Sequence, residues 1–253
     1  SDVYKRQHDD SDHVYNTPRA WYMARCLNPS TMNWDGPDAD FTPLSDDIPW
    51  CMVPEKKVTI EDVKYVLSSH FQGTPYDPYA SYGDKSMKGA YRAIGVNRTD
   101  FLGIIQMRPD AGEDSRAIEW VAFASNVFNT AAPFYIDVEK VPEYFSNTTG
   151  DASTDNFYWA SRMIAAMADA SYSKSIFHIE RYQERVMSKG HEYINQYDEL
   201  LSKESDAEKR MQLRQEANQK IADMVKKETQ DTLNKVLYEL SNQMKNAYSR
   251  SDA

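Results

Sequence analysis

All 11 prolines of the chain lie between Pro18 and Pro142, and after Gly150 a single glycine, Gly190, remains. Proline fixes φ and lacks an N–H donor, and glycine tolerates turn conformations, so together they punctuate a chain. Their partition predicts short elements joined by many loops in residues 1–150 and long helices in residues 151–253. Charge divides the same way. Residues 1–150 carry 22 acids and 14 bases, net -8, whereas residues 151–253 carry 17 and 15. The second mixture is that of solvated helix faces.

Composition excludes several classes. The net charge of -10 and the pI near 5.0 argue against a nucleic-acid binder, which needs clustered Lys and Arg to neutralise phosphates. Mean hydropathy is -0.73. No run of about 18 apolar residues offers a membrane span. A length of 253 residues fits one large domain or two small ones. The opening run Ser1–Gln7 has neither Met nor an apolar segment, so it is neither an initiation site nor a signal peptide. It reads as a non-native leader over residues 1–7, with the protein's own sequence beginning upstream.

Local patterns give the elements. Residues 28–54, rich in Pro, Asp, Ser and Thr, form an irregular surface loop. Thr59 then caps a helix, with Asp62 at the capping-box position. Ile60, Val63, Val66, Leu67 and Phe71 form its buried face, and Gly73-Thr74-Pro75 stops it. Residues 101–107 and 118–124 are strands joined through the turn chemistry of Pro109–Asp114, an antiparallel hairpin. Both are apolar at nearly every position, which predicts a sheet covered on both faces. A third strand is expected over 134–138. Helices should run from about 155 to 247, with Phe157, Ile164 and Ala168 on one face and breaks near Gly190 and residues 202–206. The stripe Ile221, Met224, Val225, Leu233, Val236, Leu237, Leu240 and Met244 is broader than a coiled-coil seam and suits packing on the chain's own domain.

Catalytic spacing is absent. His8, His13, His70, His178 and His191 form no His-x-x-x-His pair, and none lies near a cysteine, so zinc spacing fails. The Asp35–Asp40 cluster is interrupted by Pro37 and lacks the terminal Glu of a calcium loop. No glycine-rich nucleotide motif and no Gly-x-Ser-x-Gly elbow occurs. Cys26 and Cys51 are too few for a disulfide framework, and neither stands in an activating context.

An ordered set of segments carries a resemblance. These are Tyr15-Asn16-Thr17-Pro18-Arg19-Ala20-Trp21, Ile94-Gly95-Val96-Asn97-Arg98-Thr99, Ile104-Ile105-Gln106-Met107-Arg108-Pro109 and Ile118-Glu119-Trp120-Val121. Pro133-Phe134-Tyr135 and Asp155-Asn156-Phe157-Tyr158-Trp159-Ala160 follow. In order and spacing they resemble the C-terminal half of the cysteine dipeptidase family of N-terminal-nucleophile (Ntn) hydrolases, the dipeptidase A and secernin-like enzymes. Coverage runs from about residue 11 to the end.

The resemblance implies an α+β fold, part of an Ntn-hydrolase αββα sandwich with a long helical C-terminal region. Residues 8–150 would be the α/β C-terminal part of that domain and 151–253 its helical continuation. It implies hydrolysis of dipeptides with no cofactor and no metal. An N-terminal cysteine attacks the amide and its own α-amine, of ordinary pKa about 7.7–8.0, is the base. That nucleophile is expected upstream of residue 1, so this chain would be a truncated dipeptidase, inactive by itself. Asn97 and Arg98 precede a core strand and are candidates for substrate binding, Arg98 as a fork for a carboxylate. Arg19, beside Trp21, is a third candidate; Asn126 and Asn129 read as turn residues. A half sandwich should also expose apolar strand surface. Other readings left open are a non-catalytic helical scaffold, an Ntn amidase of the penicillin or bile-acid type, and a homo-oligomer. Localisation is not legible.

Overall fold

The structure, a computed structural model, describes residues 12–245. The leader expected over residues 1–7, and His8, lie outside the described residues. The chain divides into two compact units, Ser1–Val96 and Asn97–Ala253.

Among the described residues the first unit holds the helices α1 (Asp12–Tyr15), α2 (Thr17–Leu27) and α3 (Ile60–Leu67). Pro18 stands in the first turn of α2, where a missing N–H costs nothing. Between α2 and α3 runs the expected irregular loop. Its two ends are pinned by Glu55, whose carboxylate accepts from Ser30 N at 2.6 Å, Ser30 Oγ at 2.8 Å and Thr31 N at 2.6 Å. The capping box at Thr59 forms as expected, Thr59 Oγ1 accepting from Asp62 N and Asp62 from Thr59 N. The helix ends sooner than expected, however, and Phe71 lies beyond it. Phe71 adopts φ 66° and is 1% exposed, its N–H held by Ser69 Oγ. Short side-chain caps at Ser69 and Thr74 compete with the helical ladder and turn the chain there. Phe71 thus reaches Trp21, Tyr22 and Trp34 in the core of this unit from a turn.

The second unit contains the sheet and the long helices. Strands β1 (Phe101–Met107), β2 (Ala117–Phe123) and β3 (Ala132–Tyr135) form one antiparallel sheet in the order β1-β2-β3. After it come α4 (Glu143–Ser146), α5 (Phe157–Ala170), α6 (Tyr172–Lys203) and α7 (Ala207–Ser241). The fold is α+β. The third strand sits two residues earlier than expected, because Asp137 at φ 60° turns the chain out of the sheet.

Gly190 does not break the helices; α6 runs through it without interruption. A Cβ there would lie 2.6 Å from Pro133 Cδ and 2.9 Å from Cγ. The glycine lets α6 lie directly on β3, and this close approach explains the residue better than a helix stop does. A break that the sequence does not mark falls at Ser171. Its Oγ donates to Met167 O at 2.7 Å, and its backbone separates α5 from α6. The expected break near 202–206 is present, with Asp206 capping α7 through Glu208 N and Lys209 N. The last helix ends at Ser241, short of 247.

The sheet is covered on both faces only in part. Ile118, Trp120 and Ala122 of β2 are buried. On the opposite face Phe101, Ile105 and Met107 of β1 are 54, 70 and 62% exposed. Toward Phe123 and Phe134 that face is closed by Phe145 of α4 and Phe157 of α5. The apolar run of β1 therefore does not signal two-sided burial within these residues.

The hairpin turn is tied to the helices by charge. Asp114 accepts from Arg210 Nε at 2.6 Å and from Arg214 Nη1, and Arg108 Nη1 donates to Asp198 at 2.6 Å. Burial raises the Asp114 pKa, but the two guanidiniums outweigh it and hold the carboxyl below its ordinary value. Its stabilising contribution is full above the ordinary carboxylate pKa and disappears as pH falls through the lowered one. Asp114→Asn should therefore lower the urea midpoint at pH 7, and its difference from the parent protein should shrink as pH falls below the ordinary carboxylate range. Gly190→Ala gains helix propensity of about 1 kcal/mol but drives a methyl into a ring fixed on β3. It should destabilise the protein by about 1–3 kcal/mol in denaturant titrations.

Candidate functional site

The candidate residues Asn97 and Arg98 stand in the turn that leads into β1, both exposed. That turn is fastened from two sides. Arg162 of α5 donates from Nη1 to Asn97 O at 2.9 Å. Tyr158, one turn earlier on α5, donates its hydroxyl to Asp100 Oδ1 at 3.0 Å. Burial and then the Asp100 carboxylate raise the Tyr158 pKa, so the hydroxyl stays a donor. Asp100 O in turn accepts Ala124 N at 2.9 Å, just past the end of β2.

The chain leaving β2 completes this end of the sheet. Ala124 has φ 65°, an uncommon conformation for alanine that its surroundings must maintain. Asn129 supplies the restraint: its Nδ2 donates to Phe123 O at 2.8 Å and Ala124 O at 2.9 Å. Gln183 of α6 donates to Val127 O at 3.1 Å and Asn129 O at 2.8 Å. Asn129 is thus the turn residue that sequence suggested, and Asn126 lies buried in the same turn. The loop is unusually polar for its depth, with Ser125, Asn126, Asn129 and Thr130 all buried. Among the described residues, Asn129 Oδ1, Thr130 Oγ1 and Ser161 Oγ are buried without a hydrogen-bond partner. Arg108 Nε, Asn147 Oδ1 and Arg214 Nε share this state elsewhere, and buried orphan polar atoms are rare in folded proteins.

Here the fold brings together an exposed guanidinium at Arg98, an exposed amide at Asn97 and a held carboxylate at Asp100. Asp100, Tyr158 and the buried polar loop were not singled out from sequence. The available signal was the polar run Ser125–Thr130 directly after an apolar strand.

Arg19 belongs to the first unit and occupies the first turn of α2. Its Nε donates to Tyr15 O and its Nη2 to Asn16 Oδ1 at 3.4 Å, so it ties α1 to α2. Burial and then Arg92 lower its pKa. Trp21 beside it is 2% exposed and donates to Phe41 O at 3.0 Å, a core residue rather than a pocket wall.

The cysteines differ in setting. Cys26 is half-buried, and burial pushes its thiol up to about 11, the wrong direction for a nucleophile at neutral pH. Cys51 is exposed. Four histidines pair with other groups: His13 with Asp46 at 2.8 Å, His70 with Asp77 at 2.9 Å, His178 with Glu239 at 3.5 Å, and His191 stacked on Trp120. In the Asp35–Asp40 cluster, Asp35 pairs with Arg25 at 2.5 Å and Asp40 accepts Asn33 N at 2.8 Å. No group of three metal-ligating side chains occurs among the described residues. No described helix is long and apolar enough to cross a membrane. In the first unit, Lys64 is buried and donates to Ser68 Oγ at 2.6 Å, and burial lowers its amine to about 7.

A cleft of about 270 Å³ lies at the other end of the hairpin, lined by Gly112, Asp114, Ser115, Asp198, Leu201 and Ser202. Its two carboxylates are already committed to Arg108, Arg210 and Arg214. It is an ion-paired joint between the hairpin and the helices.

Comparison with known proteins places these features in a family. The chain is 44% identical to a "Dipeptidase" of Bifidobacterium longum, across 97% of this chain and 53% of that protein. It is 44% identical to a "Probable dipeptidase A" of Streptococcus pyogenes, across 96% and 49%. With "Dipeptidase A" of Lactobacillus helveticus the identity is 31%, across 90% and 46%. The chain thus spans about half the length of the curated relatives it matches. The model of peptidase family C69 matches residues 2–185. The chain belongs to peptidase family C69.

Proposed function

We propose that this chain is the part of a cysteine dipeptidase that carries the substrate-positioning end of an Ntn-type sheet. One observation carries the reading: the match to proteins named dipeptidases extends over 97% of the chain at 44% identity. In this reading the nucleophile is an N-terminal cysteine supplied by sequence outside these residues. Its thiolate attacks the peptide carbonyl carbon and the carbonyl electrons move to oxygen. Collapse expels the amine of the second amino acid, which takes the proton held by the cysteine's α-amine. Water then hydrolyses the thioester, releasing the first amino acid and restoring the thiol. The raised thiol of Cys26 supports assigning that role elsewhere.

Arg98 is proposed to hold the substrate carboxylate through paired N–H donors, with Asn97 beside it. Asp100, fixed by Tyr158, would face the substrate ammonium. Arg19 is the weaker of the proposed binding residues, because its guanidinium is engaged with Tyr15 and Asn16. The exposed face of β1 supports the sandwich, since a second sheet laid across Phe101, Ile105 and Met107 would bury it.

Incubated with dipeptides, the chain alone should release no amino acids. Turnover by it, whether lost or kept when Cys26→Ser and Cys51→Ser are combined, would overturn this reading. Joined to the part of the Bifidobacterium relative that the chain leaves unmatched, it should hydrolyse dipeptides. In that chimera Arg98→Ala should raise KM by about 10–100-fold with a smaller change in kcat, and Arg98→Lys should restore part of the loss. Equal KM values for parent and Arg98→Ala would remove Arg98 from the site.

A further inference from the structure

The chain leaves β2 through the left-handed region. Ala124 has φ 65°, where its Cβ crowds the backbone. Residues of this kind persist only where their surroundings over-determine them. Here the restraint is one side chain. Asn129 Nδ2 donates to Phe123 O at 2.8 Å and to Ala124 O at 2.9 Å. Those two carbonyls bracket the φ and ψ of Ala124, so an amide bonded to both fixes that conformation. A primary amide has the two hydrogens this takes. Asn129 is 1% exposed, so bulk water does not compete for the bonds.

The amide is itself anchored. Phe128 N and Asn129 N both donate to Ser125 O, at 3.1 and 3.0 Å, which closes the loop into one turn. Gln183 of α6 donates from Nε2 to Val127 O at 3.1 Å and to Asn129 O at 2.8 Å, which ties that turn to the helix. At the other end of the path, Ala124 N donates to Asp100 O at 2.9 Å. Where that N–H stands depends on how residue 124 leaves the strand. Asp100 Oδ1 also accepts the Tyr158 hydroxyl at 3.0 Å, and Arg162 Nη1 donates to Asn97 O at 2.9 Å. The Asn97-Arg98 turn therefore hangs between α5 on one side and Ala124 on the other.

We propose that Asn129 is a positioning residue for the Arg98 turn: by holding Ala124 in the left-handed region it keeps Ala124 N on Asp100 O, and so sets where Arg98 stands. The proposal rests on the reading of Arg98 as a ligand of the substrate carboxylate. Asn129 touches no substrate; it acts through the backbone of residues 124 and 100. Without its amide, Ala124 relaxes toward negative φ, the ordinary region for alanine. The bond to Asp100 O then lengthens, and Asp100 draws away from Tyr158. Paired N–H donors meet a carboxylate in a fixed geometry, so a small displacement of the turn weakens binding. Glycine at 124 would need no such hold, because it takes this φ freely. That difference separates positioning from general packing.

The Tyr158 phenol reports on the turn without any turnover. Burial and then the Asp100 carboxylate raise its pKa, so a displaced Asp100 lowers it. The chain is prepared with isotopically ring-labelled tyrosine, and the resonance is assigned through Tyr158→Phe. In NMR titrations Asn129→Ala should bring the Tyr158 pKa below that of the parent. Adding Ala124→Gly to Asn129→Ala should return it toward the parent. In the chimera with the Bifidobacterium relative, Asn129→Ala should raise KM about 10-fold with kcat within about 2-fold, and the added Ala124→Gly should recover most of the loss. A residue that served folding alone would lower the denaturation midpoint and leave both readouts in place. An unmoved Tyr158 titration in folded Asn129→Ala overturns the proposal, as does a double variant that stays displaced. So does an unchanged KM in a chimera where Arg98→Ala raises it. If Arg98→Ala leaves KM unchanged, the reading of the site fails instead, and the Tyr158 titration still decides whether Asn129 sets the turn. Should Asn129→Ala lose its cooperative unfolding, Gln183→Ala takes its place: a smaller displacement of the Tyr158 titration is expected, and none overturns the proposal.

Discussion

The seating of β3 between the two long helices governs the second unit. Pro133 rests against the one position of α6 without a side chain, and Asn218 of α7 takes both backbone groups of Tyr135. Remove that seat and the sheet loses its only described sealed edge together with its buried face. Trp120 and Ile118, which carry the core, are ordered through the strand pairing that β3 completes. Two properties of the chain make this possible: glycine at 190 permits backbone-level approach, and asparagine at 218 offers a donor and an acceptor from one planar group. Neither contributes much apolar area, yet both decide where the apolar area goes.

Much of this architecture is legible in sequence because the signals are local. The capping box at Thr59 and Asp62, the hairpin turn chemistry between the first two strands, and the proline-free helical stretch each depend on residues close along the chain. What escapes is set by partners far away. Gly190 reads as a break because its reason, Pro133, lies 57 residues upstream and is met only in three dimensions. Ser171 ends a helix with a hydroxyl rather than a glycine or proline, so nothing punctuates it. The two-sided burial inferred for β1 fails because an apolar strand looks the same whether its second face is covered by the same chain or by something else. Phe71 keeps helical spacing in sequence but reaches the core from a turn, since two short hydroxyl caps outcompete one more rung of helix.

The candidate site shows the same division. Asn97 and Arg98 are put forward from their place before a strand. Their supports are not, because Tyr158 and Arg162 come from a helix that begins more than fifty residues later and presents both on one face. The buried polar loop after β2 had a visible composition but no visible depth. Membership of the peptidase family supplies the chemical context that spacing alone could not, and the geometry then distinguishes a solvent-facing Arg98 from an Arg19 engaged with backbone.

The short connection capped by Asp206 bears on how the chain finds this structure. The ends of α6 and α7 that meet there are close in sequence, so their pairing closes a small loop and forfeits little chain entropy. Sheet pairing across β1 to β3, and the docking of β3 onto residues 190 and 218, close far longer loops. Local contacts of this kind form faster than distant ones. The helical hairpin is therefore the element that assembles early, and it offers its groove as a template on which the preceding strands settle. Within these residues the later helices would be the first to organise the unit, and the sheet, though earlier in the chain, must wait for them.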